Sequence, residues 1–361
     1  MNQFGKNIKI NLFGESHGNC VGITIEGLPA GISFNMEMFY DILKKRQGGF
    51  EYTTPRCEKN EFEIISGYHK SHTTGAPLTI IIPNKNFNST NYVEGVVRPG
   101  HADLTYNLKY YHYNDNRGGG SSSARLTAPL VLLLPICQAI LNHYGFPDIK
   151  VFSVINKIGT HENPSSLSTL NLQDINQLIE IDNLFINHNF QEKVINEIIT
   201  AKNNGDSIGG KVETTIIGVP LGVGEPFFSS VESIISHLLF SIPGVKAVEF
   251  GIGTAFAGML GSASNDELEY NHQSINFLSN NTGGINGGIS NGNDINFKTT
   301  FRPTPSIKLP LKSINTLTKE NITVSTNGQH DPCIAIRGLH VINALALYAI
   351  TDLLIERKKY E

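Results

Sequence analysis

The sequence predicts an α+β fold in which residues 1–361 form a single domain. Helical and strand-like patterns are mixed along the 361 residues, without the regular alternation of a doubly wound α/β sheet. A strand, a G-x-P-x-G turn and a helix also occur twice, near residues 20–46 and 211–241. This repetition indicates an internal duplication with pseudo-twofold symmetry. Two related halves usually pack together, so we expect a ligand site near their junction.

The first copy of the repeat starts with residues 21–25, where apolar residues alternate with others as in a half-buried strand. Residues 27–31 form the turn, and residues 35–46 carry apolar side chains at helical spacing. Residues 212–222 match the first strand and turn at Val, Thr, Ile, Gly, Pro and Gly, and residues 230–241 form the second helix. Chance is the alternative, because Gly and Pro are common in turns. The helix after both turns favours duplication.

The remaining elements follow from the same patterns. Short apolar or alternating runs predict strands at residues 61–66, 78–82, 150–156 and 322–325. Longer periodic runs predict helices at residues 128–144, 190–202 and 340–357. The first of these helices contains Pro129 and Pro135, so we expect a kink, and its apolar part is too short to span a bilayer. The glycine-rich residues 283–288 predict a ligand loop or a mobile connection.

Composition argues against several classes of protein. The formal net charge is −4, with neither a basic block nor an RNA-binding aromatic motif, so we expect no nucleic-acid partner. The four cysteines are far apart, which argues against a zinc site or a disulfide framework and favours a reducing compartment. His69 and His72 have no third ligand nearby, so we predict surface histidines and no metal. Residues 1–11 lack the apolar core of a signal peptide, which predicts a cytoplasmic protein without a membrane span.

The arginines are few and unevenly distributed. Only eight are present, and none lies between residues 126 and 301, although lysines occur throughout. Most of them lie in loop-like runs rich in Gly and Pro, where binding groups concentrate. A planar guanidinium binds a carboxylate or phosphate through two parallel hydrogen bonds, which lysine cannot do. The distribution therefore predicts a site for a small, highly anionic molecule, whereas surface ion pairing would not explain it.

Two motifs contain a histidine that can exchange a proton near neutral pH. Residues 14–18 (G-E-S-H-G) place His17 near glycines, which let the backbone approach a ligand closely. A lone histidine is more often a structural hydrogen-bonding residue, so this run by itself is a weak signal. Residues 98–103 (R-P-G-H-A-D) are a stronger one, because an arginine, a glycine, His101 and a carboxylate lie close together.

Three further motifs suit an anionic ligand. Residues 116–125 (N-R-G-G-G-S-S-S-A-R) are typical of a phosphate cradle, with backbone N–H groups, hydroxyls and two cations before a helix. They do not form a P-loop, because the G-K-[ST] ending is missing. Residues 302–306 and 328–333 add a cation, hydroxyls and a neighbouring acid and imidazole.

Taken in order, these segments resemble the chorismate synthase family over nearly the whole chain. The signature segments of that family match residues 14–18, 98–103, 117–125 and 330–332. The resemblance implies a β-α-β sandwich, with helices between two mainly antiparallel sheets, and a homotetramer. It also implies a lyase of the shikimate pathway that converts 5-enolpyruvylshikimate 3-phosphate to chorismate and phosphate. Such enzymes require reduced FMN although no net redox change occurs.

The resemblance also assigns roles to individual residues. His17 would protonate the leaving phosphate, His101 would hold the reduced flavin in its protonation state, and Asp331 would assist proton removal at the flavin. The substrate would be bound by Ser16, Arg46, Arg56 and Arg125. The FMN site would contain Ser121, Ser122, Ser123, Gly287, Arg302, Pro303, Thr304, Pro305, Ser306 and Gln329. The resemblance leaves open whether the chain reduces its flavin with NADPH or takes reduced flavin from outside.

The sequence departs from the family pattern at several positions. Ser121 and Gln329 stand where family members usually have arginine, and Leu126 stands where they have glutamate. An arginine expected near residues 50–52 is also missing, and Arg56 can take its place. Each lost charged hydrogen bond is worth about 1.5–3 kcal/mol, so we predict weakened FMN or substrate affinity. Two alternatives to an active lyase are a flavin- or phosphoester-binding homologue with impaired turnover and a phosphatase with a histidine acid.

Overall fold

The computed structural model describes residues 2–54, 61–85, 92–167, 170, 172–181, 184–272, 274–326 and 330–360. Its strands, in chain order, are β1 (Gln3–Phe4), β2 (Lys9–Gly14), β3 (Cys20–Glu26), β4 (Glu63–Ser66), β5 (Tyr68–His69), β6 (His72–Thr73), β7 (Leu78–Pro83), β8 (Lys150–Ile158), β9 (His161–Glu162), β10 (Gly210–Ile217), β11 (Val245–Phe250), β12 (Leu268–Asn271), β13 (Ser274–Phe277), β14 (Ile285–Asn286), β15 (Ile289–Ser290), β16 (Ile295–Phe301), β17 (Leu311–Asn315) and β18 (Glu320–Val324). Its helices are α1 (Met36–Arg46), α2 (Asp103–Lys109), α3 (Thr127–Leu130), α4 (Leu133–His143), α5 (Leu172–Ile181), α6 (His188–Asn203), α7 (Val231–Phe240), α8 (Gly261–Ser264) and α9 (Ala335–Arg357).

The longer strands form two five-stranded antiparallel sheets. The first sheet has the order β1-β2-β3-β7-β4, and the second has the order β11-β16-β10-β8-β9. In the first sheet Ile23 of β3 lies opposite Ile80 of β7, and both side chains are fully buried. In the second sheet Thr214 of β10 lies between Ser153 of β8 and Phe297 of β16. Each sheet therefore presents a buried face to the interior of the molecule.

Helices fill the space between the two sheets. Helix α3 packs against β3 and β7, whereas α9 packs against β8 and β10, and α1, α4 and α7 also contact α9. Side chains from both sheets and from these helices form one continuous apolar core. Every residue of α9 from 338 to 354 is buried, as expected for a helix that lies inside a core. The predicted α+β class, with helices between two antiparallel sheets, is confirmed.

Polar caps determine where two of the predicted helices begin. Asn35 Oδ1 accepts a hydrogen bond from the Glu37 N–H at the start of α1, at 3.0 Å. Ser230 Oγ does the same for the Ser233 N–H at the start of α7, also at 3.0 Å. The helices predicted at residues 35–46 and 230–241 are therefore confirmed to within one residue at each end.

The apolar run predicted as one helix at residues 128–144 forms two helices, α3 and α4. Pro135 has no N–H to donate to the preceding turn. Before Pro135 the backbone hydrogen bonds run to the residue three positions earlier, as in a 3₁₀ turn. The Leu134 N–H donates to Val131 O at 3.1 Å, and the Leu132 N–H donates to Pro129 O at 3.3 Å. The predicted kink is confirmed, and it separates the chain into two helices at residues 131–132.

The last helix and two strands differ from the prediction. Helix α9 begins at Ala335 rather than at residue 340. Glycine weakens a helical pattern in the sequence, but at Gly338 a Cβ atom would come within 2.5 Å of the Phe301 ring, so the close packing of α9 on β16 requires it. The sequence patterns also do not predict β2 and β16. These strands are stabilised by pairing with β3 and β10, to which they lie adjacent in the sheets.

The two copies of the predicted repeat occupy equivalent places in the two sheets. Strands β3 and β10 are each third of five, each between a strand that precedes it in the chain and one that follows it. Each is also followed by a helix, α1 or α7. This placement is what an internal duplication would produce, and the duplication itself stays a prediction. The glycine-rich loop at residues 283–288 lies around the β14–β15 hairpin.

Two helical segments are long and apolar enough to cross a membrane, at residues 124–143 and in α9. However, 72% and 94% of their most apolar windows are buried inside the fold. In this structure both segments are core helices.

Candidate active site

The sequence motifs meet around one cavity of about 1650 Å³. Its wall contains residues from all five motif regions, together with side chains of the first sheet and of α9. Predicted site residues in the wall are Ser16, His17, Arg46, His101, Ser121, Ser122, Ser123, Arg125, Arg302, Thr304, Pro305, Ser306 and Asp331. The fold thus brings together groups that are widely separated in the sequence.

Four predicted site residues are not placed in this wall. Pro303 is not part of the wall, and it lies close to Gly209, the residue before β10. Gly287 lies in the turn between β14 and β15, where a Cβ atom would meet no other group within 4 Å. The chain in this structure therefore does not bring Gly287 to the cavity. Arg56 and Gln329 lie outside the described residues.

The three glycines at residues 118–120 bring the phosphate-cradle motif against the first histidine motif. Their φ angles are 61°, 89° and 52°, a region that other residues rarely adopt. A Cβ atom on Gly118 would lie 2.6 Å from both His17 Nε2 and Ser16 Oγ. The Ser16 N–H also donates to Gly120 O at 3.1 Å. Only glycine allows this close approach, so the loop confines the His17 imidazole on one side.

Other contacts complete the surroundings of His17, which is only 5% exposed. The Tyr92 ring meets the imidazole edge-on, with 5.3 Å between ring centroids. Asn84 Nδ2 donates to Glu15 O at 3.0 Å and to Gly18 O at 2.9 Å, while its Oδ1 accepts from Arg125 Nε at 2.9 Å. Asn84 therefore joins the His17 loop to Arg125, which sequence reasoning does not reveal.

The second histidine motif forms a compact cluster of charged groups. His101 Nδ1 lies 2.7 Å from Asp103 Oδ1, and Arg98 donates to the same carboxylate through Nε at 2.7 Å and Nη2 at 2.8 Å. Burial raises the pKa of Asp103, but the hydrogen bonds from Arg98 and His101 outweigh it and hold that pKa well below its usual range. Asp103 is thus a buried, ionised carboxylate beside the imidazole.

The two imidazoles lie on either side of the same glycine turn. A Cβ atom on Gly119 would be 3.2 Å from His101 Cε1, just as one on Gly118 would meet His17. Both histidines line the cavity. The glycine turn therefore places two groups able to exchange protons next to one ligand space.

Asp331 is held by contacts from three parts of the chain. Its Oδ1 accepts from the Thr54 N–H at 2.9 Å, and its Oδ2 accepts from Arg337 Nη1 at 2.5 Å. Thr304 Oγ1 donates to Asp331 O at 2.7 Å. These contacts fix the carboxylate at the edge of the cavity, beside the hydroxyl-rich segment at residues 302–306.

The arginines of the wall are anchored by neutral groups as well as by acids. Arg46 Nη2 donates to Thr127 Oγ1 and Ala124 O, both at 2.7 Å, and Arg302 Nη1 donates to Gly100 O at 2.9 Å. These contacts hold the two guanidinium groups in fixed positions at the cavity wall. Arg117, by contrast, pairs with Asp115 and is not part of the wall, so only one of the two cations of residues 116–125 reaches the cavity.

His330 provides a buried polar atom in the wall of the cavity. Its Nε2 is buried without a hydrogen-bond partner among the residues the structure describes. Burial, with smaller effects of Arg98 and His101, lowers the pKa of His330 to about 4, so the ring is neutral at pH 7. A buried polar atom of this kind usually has a partner. Because His330 lines the cavity, a bound ligand can provide a hydrogen-bond partner for its Nε2.

Several residues of this site are missing from the set predicted from sequence. They are Asn84, Arg98, Asp103, His330 and Arg337. Three had a local signal, because Arg98 and Asp103 flank His101 in the R-P-G-H-A-D motif, and His330 precedes Asp331. Asn84 and Arg337 had none, since their partners in the site lie in other segments of the chain.

Comparisons with known proteins indicate one family for the whole chain. A family model described as chorismate synthase matches residues 8–355. A chorismate synthase of Campylobacter lari is 38% identical over 356 residues, which cover 98% of this chain and 95% of that protein. One of Thermococcus gammatolerans is 37% identical over 366 residues, with 99% and 98% covered. A crystal structure of a chorismate synthase superposes with a TM-score of 0.75 at 25% identity, covering 98% of this chain and 93% of that one.

Proposed function

This chain belongs to the chorismate synthase family, and from that premise we propose that the cavity described above is its active site. The protein is a carbon–oxygen lyase of the shikimate pathway. It removes phosphate from 5-enolpyruvylshikimate 3-phosphate by anti-1,4-elimination to give chorismate, in a reaction that depends on a reduced flavin. We locate the active site in this cavity because one wall contains His17, His101, Asp331 and several anchored arginines.

We propose that the anionic substrate is held by Ser16, Arg46, Arg125 and Arg56. The substrate bears a phosphate and two carboxylates, which repel one another unless cations lie near them. Arg46 and Arg125 are held in place by Thr127 and Asn84, so their guanidinium groups need little reordering when an anion binds. This preorganisation supports their assignment as substrate-binding residues.

The reduced flavin is proposed to be FMN rather than FAD. The wall offers hydroxyl groups of Ser121, Ser122, Ser123, Thr304 and Ser306, together with Arg302, and these suit a cofactor phosphate and polar ring edge. Nε2 of His330 has no hydrogen-bond partner among the described residues, so it is a further polar contact that such a ligand can satisfy. The residues present therefore fit a flavin mononucleotide. When bound, the reduced flavin would supply transient electron donation at the scissile C–O bond and an acceptor for the ring hydrogen.

The proton transfers are assigned to residues of this chain. His17 is proposed to give its proton to an oxygen of the leaving phosphate, because its buried ring lies against the phosphate-cradle loop at Gly118. His101 is proposed to keep the reduced flavin in the required protonation state. Asp331 is proposed to assist removal of a proton from the flavin by accepting it on its carboxylate. The carboxylate of Asp331 is fixed by Thr54 and Arg337, which suits a group that must act from one position.

The wider setting is also a proposal. We infer one domain, a cytoplasmic homotetramer without nucleic-acid or membrane partners, and either NADPH or an outside system as source of reduced flavin. Support for the assembly comes from large apolar side chains on the surface, since Phe227, Phe228 and Tyr270 are 83%, 93% and 78% exposed. Sedimentation equilibrium measures the oligomeric state, and a monomer at micromolar concentration would contradict the tetramer.

The central experiment uses purified protein under anaerobic conditions. The protein is given 5-enolpyruvylshikimate 3-phosphate with reduced FMN, without flavin, or with oxidised FMN and NADPH, while chorismate absorbance and phosphate are measured. Both products with reduced FMN alone support the proposal, and products with NADPH show that the chain reduces its own flavin. Flavin binding without products would indicate a homologue with impaired turnover. Phosphate release without flavin would indicate a phosphatase.

Variants test the site itself. His17→Ala and His101→Ala each remove one proton-exchanging group and are expected to lower kcat by about 10²–10⁴-fold, the usual contribution of such groups. The control is His188→Ala, which removes an exposed imidazole that pairs with Glu192 on the surface helix α6. Unchanged turnover in both cavity variants would place the chemistry elsewhere.

A further inference from the structure

Two distances indicate which ring nitrogen of neutral His101 carries the hydrogen. Its Nδ1 lies 2.7 Å from Asp103 Oδ1 and 3.1 Å from Arg98 Nη2. A guanidinium only donates hydrogen bonds and an ionised carboxylate only accepts them. Nδ1 can therefore accept a hydrogen bond from Arg98 only if Nδ1 carries no hydrogen. In that case the lone pair of Nδ1 would face the negatively charged oxygen of Asp103 at only 2.7 Å, which is repulsive. A hydrogen on Nδ1, donated to Asp103, satisfies the shorter contact.

The Nη2 group of Arg98 instead donates its hydrogen bond to Asp103. Nη2 lies 2.8 Å from Asp103 Oδ1, and Nε lies 2.7 Å from Asp103 Oδ2, so the guanidinium binds the carboxylate through both nitrogens. The backbone N–H of Arg98 adds a third hydrogen bond to Oδ2, at 3.0 Å. Asp103, which is 5% exposed, thus has a single orientation and a charge-balancing partner.

We propose that Asp103 is a positioning residue that keeps the hydrogen of neutral His101 on Nδ1 and leaves Nε2 as the acceptor nitrogen in the cavity. This inference rests on the proposed role of His101. Among the described residues, the charged or titratable groups that interact with the ring are Asp103, Arg98 and His330. Of these, only Asp103 accepts a hydrogen bond from the ring.

The arrangement lets one imidazole take up and return a proton without losing its place. When Nε2 gains a proton, the ring becomes a cation beside the Asp103 carboxylate, which stabilises it. The bidentate contact with Arg98 keeps the carboxylate ionised, so it orients and stabilises the ring without taking the proton itself. In serine proteases an aspartate has this function beside the catalytic histidine.

The substitution Asp103→Asn tests this assignment. An amide can place its NH₂ group toward Nδ1, which would favour the hydrogen on Nε2 instead. We expect kcat to fall by about 10²–10³-fold, less than the loss known for the protease aspartate, while the substrate KM and the FMN dissociation constant change by less than about threefold. Asp103→Glu keeps a carboxylate and is expected to recover part of kcat.

Ring nitrogen chemical shifts provide a measurement that does not depend on turnover. In protein labelled with ¹⁵N-histidine and loaded with reduced FMN, the His101 signals are identified by their loss in His101→Gln. We expect a protonated Nδ1 in the parent protein and a protonated Nε2 in Asp103→Asn. The control Asp115→Asn breaks a similar bidentate pair, with Arg117, that does not touch His101, so its His101 signals should match the parent.

Each outcome decides the proposal. A hydrogen on Nε2 in the parent protein would overturn it, even if Asp103→Asn does not fold. An unchanged tautomer or an unchanged kcat in a folded Asp103→Asn would also overturn it, as would a loss that appears in KM and flavin affinity instead. If His101→Ala keeps full turnover, the proposed role of His101 fails, while the tautomer measurement still tests the contact with Asp103.

Discussion

The guanidinium of Arg337 donates to Asp331 Oδ2 through Nη1 at 2.5 Å and to Arg46 O through Nε at 2.9 Å. One side chain of α9 therefore holds both a proposed proton acceptor and the end of α1, where a proposed substrate-binding arginine lies. Sequence comparison with family motifs does not single out Arg337. The contact makes it a supporting residue of the site.

The substitution Arg337→Ala should lower kcat by about 10–100-fold, because a charged hydrogen bond of about 1.5–3 kcal/mol that positions Asp331 is lost. Arg337→Lys keeps the charge but cannot make both contacts, and should recover only part of the rate. Steady-state kinetics with reduced FMN measure the change. Arg357→Ala, at the other end of α9, is the control and should change kcat by less than about threefold. An Arg337→Ala variant as active as this control would contradict the assignment.

The glycine turn provides a second prediction. In Gly118→Ala the new Cβ atom would lie 2.6 Å from His17 Nε2 and Ser16 Oγ, so the loop or the imidazole must move. We expect a loss of at least about 10²-fold in kcat, the order found when catalytic groups are misplaced by about 1 Å.

The matched control for this variant is Gly31→Ala. Gly31 also has a positive φ, of 89°, but a Cβ atom there would meet nothing within 4 Å. Both variants share the backbone strain of about 1 kcal/mol, and only Gly118→Ala adds the clash with His17. Equal activities in the two variants would show that the contact with His17 is unimportant.

Ser121 offers a prediction of improved binding. It lines the cavity where family members usually have arginine, so Ser121→Arg should restore one charged hydrogen bond to an anion. We expect the dissociation constant for reduced FMN to fall by about tenfold, which corresponds to about 1.4 kcal/mol. Anaerobic fluorescence titration measures it. Ser262→Arg adds the same charge at an exposed position and is the control. Equal affinity in Ser121→Arg and the parent protein would remove the basis for the prediction.

Asp352 connects the two ends of the chain and should matter for stability. Its carboxylate accepts hydrogen bonds from the backbone N–H groups of Lys6, Asn7 and Ile8, at 3.0, 2.8 and 2.8 Å. Asp352→Ala leaves these donors near the core without their acceptor, so we expect the free energy of unfolding to fall by about 2–4 kcal/mol. Urea denaturation measures this change. Asp41→Ala, which removes an exposed acid paired with Lys45, should cost less than about 1 kcal/mol.

The buried His340 should make stability depend on pH. Burial, with smaller effects of Lys45 and Arg46, lowers the pKa of His340 from 6.5 to about 4. Between pH 4 and pH 6.5, His340 binds a proton in the unfolded chain but not in the folded protein. Stability is therefore unaffected by this group above pH 6.5 and falls as pH decreases toward 4, by up to about 1.4 kcal/mol per pH unit.

In His340→Leu this part of the pH dependence should disappear. Thermal unfolding between pH 4 and 7 measures the slope for the parent and the variant. The control is His188→Leu, which removes an imidazole from the surface of α6. A slope that changes equally in both variants would contradict a special contribution from the buried ring.

Local patterns in the sequence were sufficient for many elements of the fold. The alternation at Val21, Ile23 and Ile25 predicted β3, and Asn35 and Ser230 marked the beginnings of α1 and α7. These features depend on hydrogen-bond spacing and side-chain periodicity within a few residues, so they can be read without the rest of the chain. The split between α3 and α4 follows from Pro135 for the same reason.

In the candidate site, too, some features follow from local sequence and others only from the folded structure. The sequence by itself determined which chemical groups are available: His17 and His101 in glycine motifs, and Asp331 beside His330. The tertiary structure decided their surroundings, such as Gly118 against His17. It also decided that Gly287 lies away from the cavity. Such contacts depend on how two sheets and the helices between them pack, and that packing is a property of the whole core rather than of any short segment.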